Sequence, residues 1–321
     1  MMNFKGVADL NNDVKRWLSS IPKDVDIVVG IPRSGMLVAN LVSLYLNKPL
    51  ADIDGFLAGR VLGLGVRKKF QDDAEYKRVL VIDDSVLTGR ALLEAKEKLR
   101  AANANREYIF GAPYVTPDKT ELVDTYFEIL PIPRIFEWNL MHHPLISNSC
   151  MDIDGILCRD PLPEENDDGP AYKKFISEIP VKFGPTEKVK WLVTSRLEKY
   201  RALTERWLSK NSIIYENLVM LDLPNKEDRI RAGAQARFKA EIYKKTGATL
   251  FIESARDQAA EIARLSNKCV VCTDSGEMFY PGMAYRAYRN SRNAYQIAKG
   301  RIRAIVASMK EKHRSRGSVE P

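Results

Sequence analysis

Two stretches of this 321-residue chain place paired acids at the end of an apolar run. In the first, Val79-Leu80-Val81-Ile82 ends in Asp83-Asp84, and Ser85-Val86-Leu87-Thr88-Gly89 follows before a helix-forming stretch. Carboxylates at the carboxyl end of a strand stand where open α/β sheets hold ligands. A short Ser/Thr/Gly loop that opens a helix offers backbone N–H groups and hydroxyls to a phosphate. Acids beside such a cradle suit the vicinal hydroxyls of a ribose or a hydrated Mg2+. About fifty residues earlier lies a second loop, Gly30-Ile31-Pro32-Arg33-Ser34-Gly35. There Arg33 can fork onto a pair of diphosphate oxygens. Gly35 lets the backbone approach a ligand or a neighbouring loop closely.

In the second stretch, Met151-Asp152-Ile153-Asp154-Gly155 sets two acids two residues apart after a short apolar run. On an extended backbone their side chains point the same way. One carboxylate can attack phosphorus to form an aspartyl phosphate. The other can protonate the leaving alcohol and later activate water. Mg2+ between them offsets their repulsion and the charge of the phosphate.

Both stretches need strands that end in loops and loops that open helices. Val25–Val29 and Arg78–Ile82 read as strands, Met36–Leu46 and Arg90–Ala101 as helices, and Ser85–Gly89 as a loop. A break falls near residues 142–150, followed by a new unit. Its strands are expected at Lys190–Thr194, Leu218–Leu223, Thr249–Glu253 and Cys269–Thr273. Its helices are expected at Arg196–Lys210 and Asp228–Thr246, with a loop over Asp160–Gly169. Buried strands alternating with helices predict an α/β fold with two Rossmann-like parallel sheets.

The first constellation resembles the phosphoribosyl-diphosphate (PRPP) signature of type I phosphoribosyltransferases. The resemblance implies that Asp83 and Asp84 meet the ribose hydroxyls and that Ser85, Val86, Leu87, Thr88 and Gly89 cradle the 5-phosphate. Arg33, Ser34 and Gly35 would bind the pyrophosphate. The family often has a second threonine where Leu87 sits. The segment from Asp52 to Lys77, with Arg60, Arg67, Lys68 and Lys69, resembles the family's flexible catalytic loop. Tyr108–Leu145 would be the hood that receives the acceptor, with Tyr114, Tyr126, Phe127, Phe136, Trp138, His142 and His143.

The second constellation resembles the haloacid dehalogenase (HAD) superfamily of phosphatases. Trp191-Leu192-Val193-Thr194-Ser195-Arg196 is similar to its strand ending in a phosphate-holding Thr194. Lys239 is similar to its nucleophile-steadying lysine. Phe251-Ile252-Glu253-Ser254-Ala255-Arg256-Asp257 is similar to its acidic motif. The resemblance implies catalytic roles for Asp152, Asp154, Thr194 and Lys239. It implies Mg2+ held by Asp152, Asp154, Glu253 and Asp257. The short insertion between Gly155 and Lys190 implies a small cap and an open site.

These resemblances divide the chain into a phosphoribosyltransferase domain (1–147), a HAD-like phosphatase domain with a small cap (148–282) and a basic helical tail (283–321). Together they resemble bifunctional proteins associated with ribofuranose in bacterial polysaccharides. The implied function is PRPP-dependent ribosylation of a glycan or lipid-linked glycan, followed by removal of the 5-phosphate. Two alternatives stay open: a nucleobase phosphoribosyltransferase fused to a 5'-nucleotidase, and a PRPP-sensing regulator that binds RNA.

Composition bounds these readings. Hydrophobic residues make up 45% and charged residues 29%, which excludes collagen-like, mucin-like and disordered classes. The longest apolar stretch, Met36–Leu46, has eleven residues and is broken by Asn40 and Ser43. A bilayer span needs about 20. Met1–Asp13 is polar and reads as no signal peptide, so the expected location is the cytoplasm. Cys150, Cys158, Cys269 and Cys272 read as reduced thiols. No histidine lies between residues 144 and 312 to join Cys269 and Cys272 in a metal site, so Lys268–Thr273 reads as a buried strand.

Residues 281–321 carry ten basic residues against Glu311 and Glu320, which is the whole net charge of +8. Ile297, Ile302, Ile305, Val306 and Met309 would form one stripe of a tail helix flanked by Lys299, Arg303, Lys310 and Arg314. Such a helix suits packing on the second domain or peripheral contact with the inner membrane face. Nucleic-acid binding is the least favoured reading of the tail.

Overall fold

The computed structural model describes residues 2–63, 76–102, 105–233 and 235–282. The chain divides into two compact units, Met1–Leu140 and Met141–Pro321, seven residues before the expected junction at 147/148. The basic tail lies outside the described residues, as do Arg67, Lys68 and Lys69 of the expected catalytic loop. Among the described residues no helix is long and apolar enough to cross a membrane.

In the first unit a parallel sheet is built from β2 (Ile27–Gly30), β3 (Leu50–Asp52), β4 (Arg78–Ile82), β5 (Ser85–Val86), β6 (Glu107–Val115) and β7 (Thr125–Ile129). Its order is β3-β2-β4-β6-β5, with β7 also pairing β6. Strand residues alternate between two cores. Val28, Leu80 and Ile82 pack with α1 (Val7–Trp17) and α2 (Gly35–Leu46). Ile27, Val29, Val79 and Val81 pack with α3 (Ile53–Leu57) and α4 (Arg90–Ala102). Both faces are covered, which is why these strands read as unbroken apolar runs. From β2 the chain builds outward to β3 and then returns to lay β4 on the other side, so the topological switch falls between β2 and β4. A separate pair joins β1 (Asn3–Lys5) to β8 (Arg134–Phe136).

In the second unit the order is β11-β10-β9-β12-β13-β14. The strands are β9 (Ser149–Met151), β10 (Val189–Leu197), β11 (Tyr215–Leu221), β12 (Leu250–Glu253), β13 (Val270–Cys272) and β14 (Glu277–Phe279). Among the described residues of this sheet, the β13–β14 pairing is antiparallel and the others are parallel. The helices are α5 (Pro170–Glu178), α6 (Arg201–Lys210), α7 (Lys226–Ala232), α8 (Gln235–Lys245) and α9 (Arg256–Ser266). Two expected helices differ. The one expected from Arg196 starts at Arg201, because β10 keeps pairing with β11 as far as Leu197. The one expected over Asp228–Thr246 is split into α7 and α8 around Gly233, which has a φ of 52°. Cys269 precedes β13 and Cys272 ends it, and all four cysteines are free thiols.

Candidate active sites

Gly35 brings the two loops of the first unit together. A Cβ on Gly35 would stand 2.7 Å from the Ile82 carbonyl oxygen and 3.0 Å from Asp83 Cα. Ile31 N–H donates to the Ile82 carbonyl at 2.8 Å, fixing the contact. The Arg33 loop and the Asp83-Asp84 pair therefore lie side by side at the switch point. Arg33 is exposed and Ser34 half-buried just before α2. Part of the expected phosphate loop is strand instead: Ser85 and Val86 form β5 and pair with Tyr114 and Val115. Leu87 and Thr88 remain exposed at the start of α4, and Thr88 Oγ1 accepts from Arg90 N–H at 3.3 Å.

Asp84 is buried and Asp83 half-buried. Burial, then the charge of Asp84, holds Asp83 well above the usual carboxylate range, at about 7. Burial also raises Asp84, against the Trp138 hydrogen bond and the Asp83 contact. Trp138 Nε1 donates to Asp84 Oδ2 at 2.8 Å. Its ring stacks on Phe136 at 4.7 Å, and Phe136 stacks on Tyr114 at 5.4 Å. Arg134 is buried with its charge felt at both acids, a role that no motif in the sequence marks. Of the expected hood residues, Tyr114, Phe136 and Trp138 share this ladder, whereas Tyr126 is exposed. His142 and His143 fall in the second unit, where His142 Nδ1 lies 3.2 Å from Thr186 Oγ1.

The second site is a polar cavity of about 200 Å³ lined by Asp152, Asp154, Thr194 and Lys239 among others. Asp152 follows β9 and Thr194 lies in β10, adjacent parallel strands. Lys239, on α8, is fully buried and donates to Asp152 Oδ2 at 2.5 Å and Glu253 Oε2 at 2.7 Å. Burial raises the Asp152 carboxyl, Lys239 pulls it down, and Glu253 pushes it up. The same two carboxylates raise Lys239 against its burial, so the cation and its partners form one charged cluster. Glu253 Oε1 accepts from the N–H groups of Ser254 and Ala255.

Arg196, buried in β10, donates to both carboxylate oxygens of Asp154. Asp257 is exposed and does not line the cavity; Gln258, one residue on, does. The insertion after Gly155 is short, yet it contributes Asp160, Pro161, Asn166 and Tyr172 to the wall.

Known proteins resemble the first unit. Residues 6–144 match the family described as phosphoribosyl transferase domain. An orotate phosphoribosyltransferase of Sulfolobus acidocaldarius is 30% identical over 83 residues, covering 26% of this chain and 40% of that protein. An amidophosphoribosyltransferase of Synechococcus elongatus is 30% identical over 118 residues, covering 32% of this chain and 24% of that protein. The chain thus spans less than half the length of these relatives. The solved xanthine-guanine-hypoxanthine phosphoribosyltransferase of Helicobacter pylori aligns over 44% of this chain and 93% of its own, at 15% identity and a TM-score of 0.34.

The donors present can be weighed against Mg2+. In the first unit, Asp83 and Asp84 are two adjacent carboxylates held above their ordinary range, whose ionisation a cation would favour. In the second unit, no group of three His, Cys, Asp or Glu among the described residues is arranged to hold a metal by itself. Lys239 engages Asp152 and Glu253 alike, but Asp152 and Asp154 line the cavity whereas Glu253 and the exposed Asp257 do not. Mg2+ is usually held by one or two carboxylates together with substrate phosphate and water. Asp152 and Asp154 fit that manner of binding; the four-carboxylate set does not assemble.

Proposed function

We propose that the chain transfers 5-phosphoribose from PRPP to a glycan hydroxyl and then removes the 5-phosphate, leaving a ribofuranosyl unit. The observation that carries this reading is one chain holding two kinds of site. One is a carboxylate pair beside the Arg33 loop, in a segment that matches the phosphoribosyl transferase family. The other is a cavity where Lys239 steadies the buried Asp152.

In the first unit, Asp83 and Asp84 would accept hydrogen bonds from the ribose hydroxyls. Arg33, Ser34 and Gly35 would hold the pyrophosphate, and Ser85 to Gly89 the 5-phosphate. The acceptor oxygen would attack the anomeric carbon as its bond to pyrophosphate breaks. Inversion of α-configured PRPP would give a β-ribofuranoside.

In the second unit, the reading is a HAD-like phosphatase. Asp152 would attack phosphorus and break the ester bond. Asp154, oriented by Arg196, would give a proton to the leaving alcohol and later take one from water. That water would then cleave the aspartyl phosphate. Thr194 would hold a phosphoryl oxygen while Lys239 fixes Asp152. Mg2+, when held by Asp152 and Asp154, supplies charge neutralisation for the phosphoryl oxygens. The basic tail would keep the chain at the inner membrane face, where lipid-linked glycans are built.

The relatives favour a second reading, in which a nucleobase accepts the ribose and the second unit is a 5'-nucleotidase. Two of them are named for phosphoribosyl transfer in orotate and amido chemistry. In that reading the second site would destroy what the first had made. Incubation with PRPP and Mg2+, followed by phosphorus NMR, separates the two. Pyrophosphate and inorganic phosphate released only with a glycan fraction support ribosyl transfer, and Asp152→Asn should then stop at a phosphorylated glycan. Pyrophosphate released with a nucleobase overturns the glycan reading.

A further inference from the structure

Arg229 is the buried cation of the second unit that the mechanism leaves unused. It sits on α7, lines the cavity and is 9% exposed. Its Nη1 donates to the Ser195 carbonyl at 3.1 Å and its Nη2 to Asn166 Oδ1 at 3.5 Å. Tyr172 also bonds to it. All three partners are neutral, and its buried Nε has no hydrogen-bond partner. Among the described residues no carboxylate pairs with it.

The other two buried cations at this site are already matched. Lys239 is held by Asp152 and Glu253, and Arg196 by Asp154. Arg229 is therefore the cavity-lining cation whose charge is not taken up by the protein. A buried guanidinium without a counter-charge is unfavourable until an anion arrives. Its planar fork matches two phosphate oxygens. Its anchor, the Ser195 carbonyl, directly follows Thr194, so the guanidinium is fixed to the strand end that carries the expected phosphate-holding hydroxyl.

We propose that Arg229 binds the non-bridging oxygens of the substrate's phosphoryl group and makes the second unit selective for dianionic phosphomonoesters over phosphodiesters. This rests on the phosphatase reading above. Asn166 and Tyr172, both from the short insertion, act as positioning residues that hold the guanidinium toward the cavity. The insertion thus shapes charge recognition at the site.

The test uses the full chain and two variants, Arg229→Gln and Arg229→Lys. It measures p-nitrophenyl phosphate hydrolysis, the matching phosphodiester, and inorganic phosphate binding by calorimetry. Arg229→Gln should weaken phosphate binding and raise KM at least tenfold, with a smaller change in kcat. It should narrow the monoester preference without lowering the melting temperature. Arg229→Lys keeps the charge but not the fork, and should fall between the two. If Arg229→Gln does not fold, a lysine variant that binds phosphate as the wild type does overturns the proposal. Wild-type hydrolysis with unchanged phosphate binding in Arg229→Gln overturns the proposal alone. A wild type that neither hydrolyses nor binds phosphate overturns the phosphatase reading, and the proposal with it.

Discussion

The Arg196 guanidinium grips both carboxylate oxygens of Asp154, with Nε at 3.1 and 3.2 Å and Nη2 at 2.6 Å. Arg196 is fully buried, so this contact fixes where Asp154 points. If Asp154 moves the proton, Arg196 and Asp154 act as one unit, and their losses should not add. General acid–base groups contribute roughly 10²–10⁴-fold. Arg196→Gln should lower phosphomonoester kcat by about as much as Asp154→Asn. The double variant should lie within a few-fold of either single variant. Losses that multiply in the double variant would mean that Arg196 acts elsewhere.

Lys239 supports a second prediction. It bridges Asp152 and Glu253, all three buried. Removing one partner of a buried charged cluster costs about 3–5 kcal/mol, because the others stay buried and unpaired. Lys239→Met should therefore destabilise the second unit by about that much at neutral pH. Burial raises the Asp152 carboxyl and Lys239 pulls it down, so without Lys239 its pKa in the folded state would stand higher still. Such a group stabilises the fold below its unfolded pKa, and that stability is lost as pH rises through the folded value. The defect should thus shrink as pH falls toward 5. Denaturant melts of Lys239→Met at pH 5 and 7 check this, and a defect independent of pH would contradict it.

Some of this was legible in the sequence. Arg78–Ile82 is the strand that was expected, because both its faces are apolar and Asp83 ends the run. Asp152 just after β9, Thr194 in the neighbouring β10 and Lys239 one turn into α8 meet in one cavity. Asp257 did not follow its motif. Each helical residue turns about 100° from the last, so the start of α9 at Arg256 decides that Gln258 faces inward and Asp257 outward. Arg134, Asp160, Tyr172 and Arg229 belong to no local pattern. Tertiary packing alone brings them to their sites, and no spacing along the chain announces it.

Asp83 should make the first unit sensitive to pH. Its carboxyl is raised from an ordinary value near 3.8 to about 7 by burial and by Asp84. The stability it contributes is present below about 4 and is lost as pH rises toward 7. A rise of that size corresponds to at most about 4 kcal/mol. Amide exchange at Val79–Ile82 should therefore quicken from pH 4 to 7, after correction for the intrinsic rate. Asp83→Asn should flatten that trend. An unchanged trend in the variant would assign the pH response to another group.

Gly35 ties the two loops of the first unit to each other, and substitution there gives the sharpest separation between the units. An added Cβ meets backbone atoms, the Ile82 carbonyl oxygen at 2.7 Å and Asp83 Cα at 3.0 Å. Neither can swing aside as a side chain would. Overpacking of this kind costs about 1–3 kcal/mol, and relief requires the Arg33 loop to move away from the acids. Gly35→Ala should then displace Arg33 and Ser34 relative to Asp83 and Asp84. PRPP binding measured by calorimetry should weaken by about tenfold or more, since about 1.4 kcal/mol is a tenfold change. The phosphomonoester hydrolysis proposed for the second unit should stay within twofold of the wild type, because none of its cavity residues belongs to the first unit. Intact PRPP binding in Gly35→Ala would show that the contact between the loops is not what sets the geometry of the site.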